Sequence, residues 1–183
     1  MRGSREFGLF VISAVLGIMM AHSEAQEKPL IPSFPAVVMR QVQSGGLTAT
    51  YTRDGDVVTI TVKTKDGKRP DDGWGGVCIE NRTPVNLGGF THVKATVRLS
   101  AKVVMDIKLE KTKYEEGTIL LADKEGVGQG ERVLEWELKR STEVGNGTLS
   151  QTKRMCFFVL ADDFPKGLTE VVVRVSGIQF DKK

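Results

Sequence analysis

The sequence predicts an all-β fold, an antiparallel β-sandwich of two stacked sheets. Three observations carry this expectation. Apolar and polar residues alternate with a period of two through residues 91–99 and again through 103–109. That period belongs to strands with one face buried and one in water. Turn signals rich in Gly, Asp, Asn and Pro separate the candidate strands, and no segment carries an amphipathic helical repeat.

Residues 1–25 stand apart from the fold. Arg2 and Arg5 supply positive charge, residues 8–20 form an uninterrupted small and apolar run, and Ser23-Glu24-Ala25 brings small residues to a cleavage site. This is the layout of a secretory signal peptide, and its apolar run is shorter than the ~20 residues of a transmembrane helix. The expected localisation is secreted or periplasmic, with no membrane attachment after cleavage; an uncleaved N-terminal anchor is the alternative. Removing Arg2, Arg5, Glu6 and Glu24 deletes two charges of each sign, so the net charge stays at +3. Lys63, Lys65, Lys68 and Arg69 are interrupted by Asp66, Asp71 and Asp72. Nucleic acid is not an expected partner, because it calls for a contiguous basic face.

Residues 26–46 contain Pro29, Pro32 and Pro35 and read as an extended lead-in closed by Gly45-Gly46. Residues 47–53 and 57–63 are strands joined through Asp54-Gly55, the strongest hairpin signal in the chain. A charged loop over 65–75 leads into a strand over 76–80. Residues 91–99 place Val93, Ala95, Val97 and Leu99 on one face, and 103–109 do the same with Val103, Met105, Ile107 and Leu109. A weaker strand follows over 117–122. Leu134, Trp136 and Leu138 share a face in 132–138. Residues 154–160 are continuously apolar, as in a strand covered on both sides, and 171–180 form a last strand bulged at Ser176-Gly177. The total is roughly eight to nine strands, with residues 47–183 as the sandwich domain.

Little in the sequence points to catalysis. His22 leaves with the signal, and His92 sits on the polar side of a strand, where a solvated role is expected. One imidazole without a Cys-x-x-Cys spacing builds no zinc site. The glycines at 126, 128 and 130 lack the strand-then-helix setting of a phosphate loop. Glu135 and Glu137 share the polar face of one strand, a pair that a small glycosidase or lyase would use and that a solvated strand also carries, with Lys139 continuing the row. Cys78 and Cys156 admit two readings. An oxidising compartment permits a disulfide, and both could equally be buried apolar residues that never meet.

Binding is the better-supported class. A sugar site combines an aromatic platform with polar partners at its rim. Trp74, in the loop-like run Asp71-Asp72-Gly73-Trp74-Gly75, is the leading platform, with Tyr114 as a further exposed aromatic. Capping of the sandwich edge is the competing role for Trp74. If the strands over 91–99 and 103–109 are neighbours, Arg98 and Asp106 line a shallow groove or form cross-strand pairs in water.

The run Trp74-Gly75-Gly76-Val77-Cys78-Ile79, the corner Pro84-Val85-Asn86-Leu87-Gly88-Gly89-Phe90, the two alternating strands and the closing strand resemble the galactose-binding-domain-like β-jelly rolls, which include carbohydrate-binding modules. The likeness covers about residues 47–180 and departs at Asn86, where that family tends to have Asp. It implies a non-catalytic jelly-roll module whose partner is a polysaccharide or oligosaccharide, with ligand contacts from Trp74, Arg98, Asp106 and Tyr114. Relatives hold a structural calcium, for which Asp54, Asp56 and Asp181 are candidates, but no ligand run assigns it here. No other cofactor is implied. The alternative function is an envelope protein-interaction or assembly domain that kept the sandwich without sugar binding.

Overall fold

The structure is a computed structural model that describes residues 37–111, 119–122, 129–138 and 147–182. The expected signal peptide (1–25), most of the lead-in and Tyr114 lie outside the described residues. Ten strands are present among those described: β1 (Val37–Gly45), β2 (Leu47–Asp54), β3 (Val57–Thr64), β4 (Gly73–Val85), β5 (His92–Leu99), β6 (Asp106–Glu110), β7 (Ile119–Ala122), β8 (Gly130–Glu137), β9 (Thr152–Leu160) and β10 (Glu170–Asp181). A four-residue helix, α1 (Gly147–Ser150), precedes β9. No helix of the described residues is long and apolar enough to cross a membrane.

The strands form two five-stranded antiparallel sheets. The first runs β1-β4-β9-β6-β7 and the second β2-β3-β10-β5-β8. The period of two is realised as expected: Val93, Ala95, Val97 and Leu99 of β5 are buried between the sheets, and their neighbours in sequence face outward. Val77 and Ile79 of β4, Ile107 and Leu109 of β6, Met155, Phe157 and Val159 of β9, and Val171, Val173 and Val175 of β10 complete one continuous core. Trp136 and Leu138 belong to it as well.

Local chemistry explains the joints. Asp54 pairs with Val57, so the β2–β3 hairpin turns on Gly55 and Asp56. Gly55 has a φ of 57°, and among the described residues no non-glycine residue has positive φ, so only the first central position is left-handed. That suits a tight turn with Gly first. In β10 the register slips between Ser176 and Gln179, placing a bulge at Gly177, whose φ is 58°. At Gly76, inside β4, an added Cβ would overlap the carbonyl oxygen of Phe157 on β9, so only glycine permits this approach.

Two expectations are revised. Residues 37–45, read as part of the lead-in, form the edge strand β1, paired with β4 from Val37↔Asn81 to Gly45↔Gly73. The alternating segment 103–109 contributes a shorter strand, β6, which belongs to the opposite sheet from β5. The connection from Ser100 to Met105 crosses between the layers, so the two strands are not neighbours.

Candidate functional site

The outer face of the first sheet is partly apolar, which is unusual for a face turned from the core. Register places Trp74, Gly76, Cys78 and Glu80 of β4 beside Leu160, Phe158, Cys156 and Arg154 of β9. Asp106, Lys108 and Glu110 of β6 continue the rows beyond Phe158, Cys156 and Arg154. Cys78 and Cys156 face each other across the strand pair and form a disulfide. With Phe158 they make a second apolar cluster, against which Val42, Trp74 and Leu160 pack.

Trp74 ends this row. Its ring meets Phe158 edge-on, with centroids 6.0 Å apart and planes at 67°. An edge-to-face contact of this kind fixes the indole while part of it stays in solvent. The residue sits in strand β4 and not in a loop, because Gly73–Val85 pairs on both sides, with β1 and with β9. Beside it opens a cleft of about 390 Å³ lined by Trp74, Ser44, Asp71, Asp72 and Asp162, among others. Backbone hydrogen bonds hold the walls: Gly46 N–H donates to Asp72 O at 3.0 Å, and Ala161 N–H donates to Gly73 O at 2.9 Å. The Arg69 guanidinium donates to Asp162 O at 3.2 Å. Next to the cleft, burial followed by the charge of Asp162 pushes the Asp163 carboxyl above its usual range. The cleft is therefore an aromatic wall edged by hydrogen-bond acceptors and carries negative charge.

The other end of the same face is ionic. Glu110 is 1% exposed, accepts from Arg154 Nη1 at 2.9 Å and pairs with Lys108 Nζ at 3.0 Å. Glu80 gathers Arg40 and Lys153, each at 3.4 Å, and Arg154 at 3.9 Å. A buried carboxylate is tolerated here because two cations and a hydrogen bond replace its water.

The remaining expected site residues are separated. Asp106 is buried on the outer face of the first sheet, 2% exposed, whereas Arg98 is exposed on the outer face of the second. The expected Arg98–Asp106 groove does not exist, because alternation tells which residues share a face of one strand but not which sheet the strand joins. His92 Nδ1 lies 2.8 Å from Thr91 Oγ1, and Glu135 pairs with Lys94 at 3.9 Å on the same outer surface. Among the described residues no group of three or more His, Cys, Asp or Glu is placed to hold a metal ion. Sequence reasoning missed Ser44 and Asp162 as neighbours of Trp74. The pairings Ser44↔Trp74 and Trp74↔Leu160 bring them there, and only register reveals them.

No protein-family model matches the chain, and no curated protein matches it. Solved structures do. The family 11 carbohydrate-binding module of the cellulosomal cellulase Lic26A-Cel5E of Clostridium thermocellum superposes with a TM-score of 0.54 at 9% identity, covering 79% of this chain and 88% of that one. A family 11 module from Clostridium thermocellum in complex with a β-1,3-1,4-mixed-linked tetrasaccharide gives 0.53 at 9%, with the same coverage of 79% and 88%. An agarase gives 0.52 at 11%, covering 78% of this chain but 24% of its own, so the chain spans about a quarter of that enzyme. At these identities the likeness is one of fold: the chain is an antiparallel two-sheet β-sandwich of jelly-roll form, and these modules share that architecture.

Proposed function

We propose that this domain is a secreted or periplasmic module that binds carbohydrate without acting on it, holding a sugar ring against Trp74. The observation that carries the reading is the partly exposed indole in a cleft of about 390 Å³ whose other walls bear Ser44, Asp71, Asp72 and Asp162. The apolar C–H face of a sugar suits an indole, and its hydroxyls donate to carboxylates. A cleft with three acids disfavours anionic sugars, so the ligand is a neutral oligosaccharide or polysaccharide. The Cys78–Cys156 bridge supports an oxidising compartment. Glu135 engages Lys94 on an exposed sheet face, which supports a structural role for it over a catalytic one.

Affinity electrophoresis of the full chain through gels containing neutral polysaccharides tests this. Retardation by at least one polymer is expected, with Trp74→Ala losing tenfold or more in affinity while Trp74→Phe keeps most of it, as expected for an aromatic anchor that the ligand covers. Binding that is indifferent to Trp74→Ala would remove the cleft from the account, and capture of an envelope protein with no glycan bound would favour an assembly domain.

A further inference from the structure

The outer face of the second sheet carries a separate cleft of about 340 Å³, lined by Arg98, Arg174, Ser100, Gln129 and Gly130, among others. Arg98 on β5 and Arg174 on β10 stand directly opposite one another in register. Directly opposed residues have Cβ atoms about 4.5–5.5 Å apart, and like charges there repel. The other lysines on this face are neutralised: Lys63 meets Glu170 and Lys94 meets Asp181, each at 2.7 Å. Among the described residues neither Arg98 nor Arg174 has an ion pair or hydrogen bond. Glu131 lies opposite Arg98 on β8, yet no ion pair joins them. Two exposed guanidiniums therefore converge on one concavity with their donors unused.

The rest of the lining suits an anion. Val172 N–H donates to Ser100 Oγ at 2.9 Å, which leaves the hydroxyl proton of Ser100 free to be donated elsewhere. Hydroxyl-bearing residues flank the pair: Thr59 is opposite Arg174, and Thr96 is opposite Ser176. We propose that Arg98 and Arg174 form an oxyanion site that holds the sulfate ester or uronate carboxylate of an acidic glycan. Guanidinium forks match the planar or tetrahedral oxygens of such groups, and the flanking hydroxyls meet the sugar. The choice of a glycan rests on the function proposed above; the anion site rests on the arginine pair. It lies on the opposite face of the sandwich from Trp74, so the two sites are separable by mutation.

The test uses the full chain with dextran sulfate, polygalacturonate and neutral dextran at low and high salt. Wild type is expected to bind an acidic polymer, and whichever it prefers identifies sulfate or carboxylate as the group held. Arg98→Ala with Arg174→Ala should weaken that binding tenfold or more, and Arg98→Lys with Arg174→Lys should give an intermediate loss because bidentate contact goes while charge stays. Glu131→Gln should tighten it. Trp74→Ala should leave it unchanged, as should Lys68→Ala with Lys166→Ala, which removes equal charge elsewhere. The double alanine variant should melt no lower than wild type, since repulsion is relieved. Absence of binding to both acidic polymers overturns the proposal, as does equal loss in the lysine variant or loss in Trp74→Ala alone. Failure of neutral glycans to bind at Trp74, with arginine-dependent binding intact, sinks the first reading and leaves this one standing.

Discussion

Replacing Glu110 with Gln removes a carboxylate that is 1% exposed and leaves its cations in place. Arg154 and Lys108 each have side chains 16% exposed, at 2.9 and 3.0 Å from the Glu110 oxygens. Removing one partner of a buried pair costs about 3–5 kcal/mol, because the surviving charge is left uncompensated. Arg154 keeps Glu80 at 3.9 Å, and Lys108 reaches some solvent, so the lower end applies, about 3 kcal/mol. For a domain of this size that is a fall of roughly 6–12 °C in melting temperature. Glu80→Gln supplies the contrast. Glu80 is 24% exposed and its partner Arg40 is 64% exposed, so the change costs about 1 kcal/mol or less. Thermal and urea melts followed by circular dichroism measure both variants. If Glu110→Gln shifts the midpoint no more than Glu80→Gln, burial does not set the worth of these ion pairs and the reasoning is wrong.

Three further outcomes are expected. Replacing Cys78 and Cys156 by Ala opens a loop with a sequence separation of 78, which should cost on the order of 4 kcal/mol in a urea titration; no change in midpoint would deny the bridge a stabilising role. Gly76→Ala forces a methyl against the Phe157 carbonyl and should cost about 3 kcal/mol or prevent folding, whereas a wild-type melt would show that β4 and β9 can separate freely. The hydrogen bond from Lys94 to Asp181 raises the lysine pKa above its ordinary 10.5, so its contribution is complete below that pH and is lost as pH rises through the higher folded value. Lys94→Met should therefore show a shallower loss of stability at alkaline pH than wild type, and an unchanged slope would assign the alkaline limb to other groups.

The elements were legible where one physical signal decides them. The buried face of β5 follows from its alternation, the Gly55 hairpin from the need for positive φ, and the doubly covered β9 from the run Met155-Cys156-Phe157-Phe158-Val159. Sheet membership was not legible, since the same alternation fits either layer; hence Arg98 and Asp106 were expected together and are held apart. Prolines upstream concealed β1, whose pairing with β4 depends on a partner far along the chain. Arg174 occupied an ordinary polar position of β10 until register set it against Arg98. Trp74 was identified by residue type, but its cleft required Ser44 and Asp162, which only the folded sheet assembles.

The central claim is that a sugar ring rests against Trp74. The chain has two tryptophans, and Trp136 is buried in the core. Trp136→Phe therefore leaves Trp74 as the single fluorescent indole, to be titrated with oligosaccharides of a neutral polymer that retards the domain. A saturable change in emission, with the same midpoint as binding measured by calorimetry, is the predicted result. Calorimetric binding with the emission of Trp74 unmoved would contradict it.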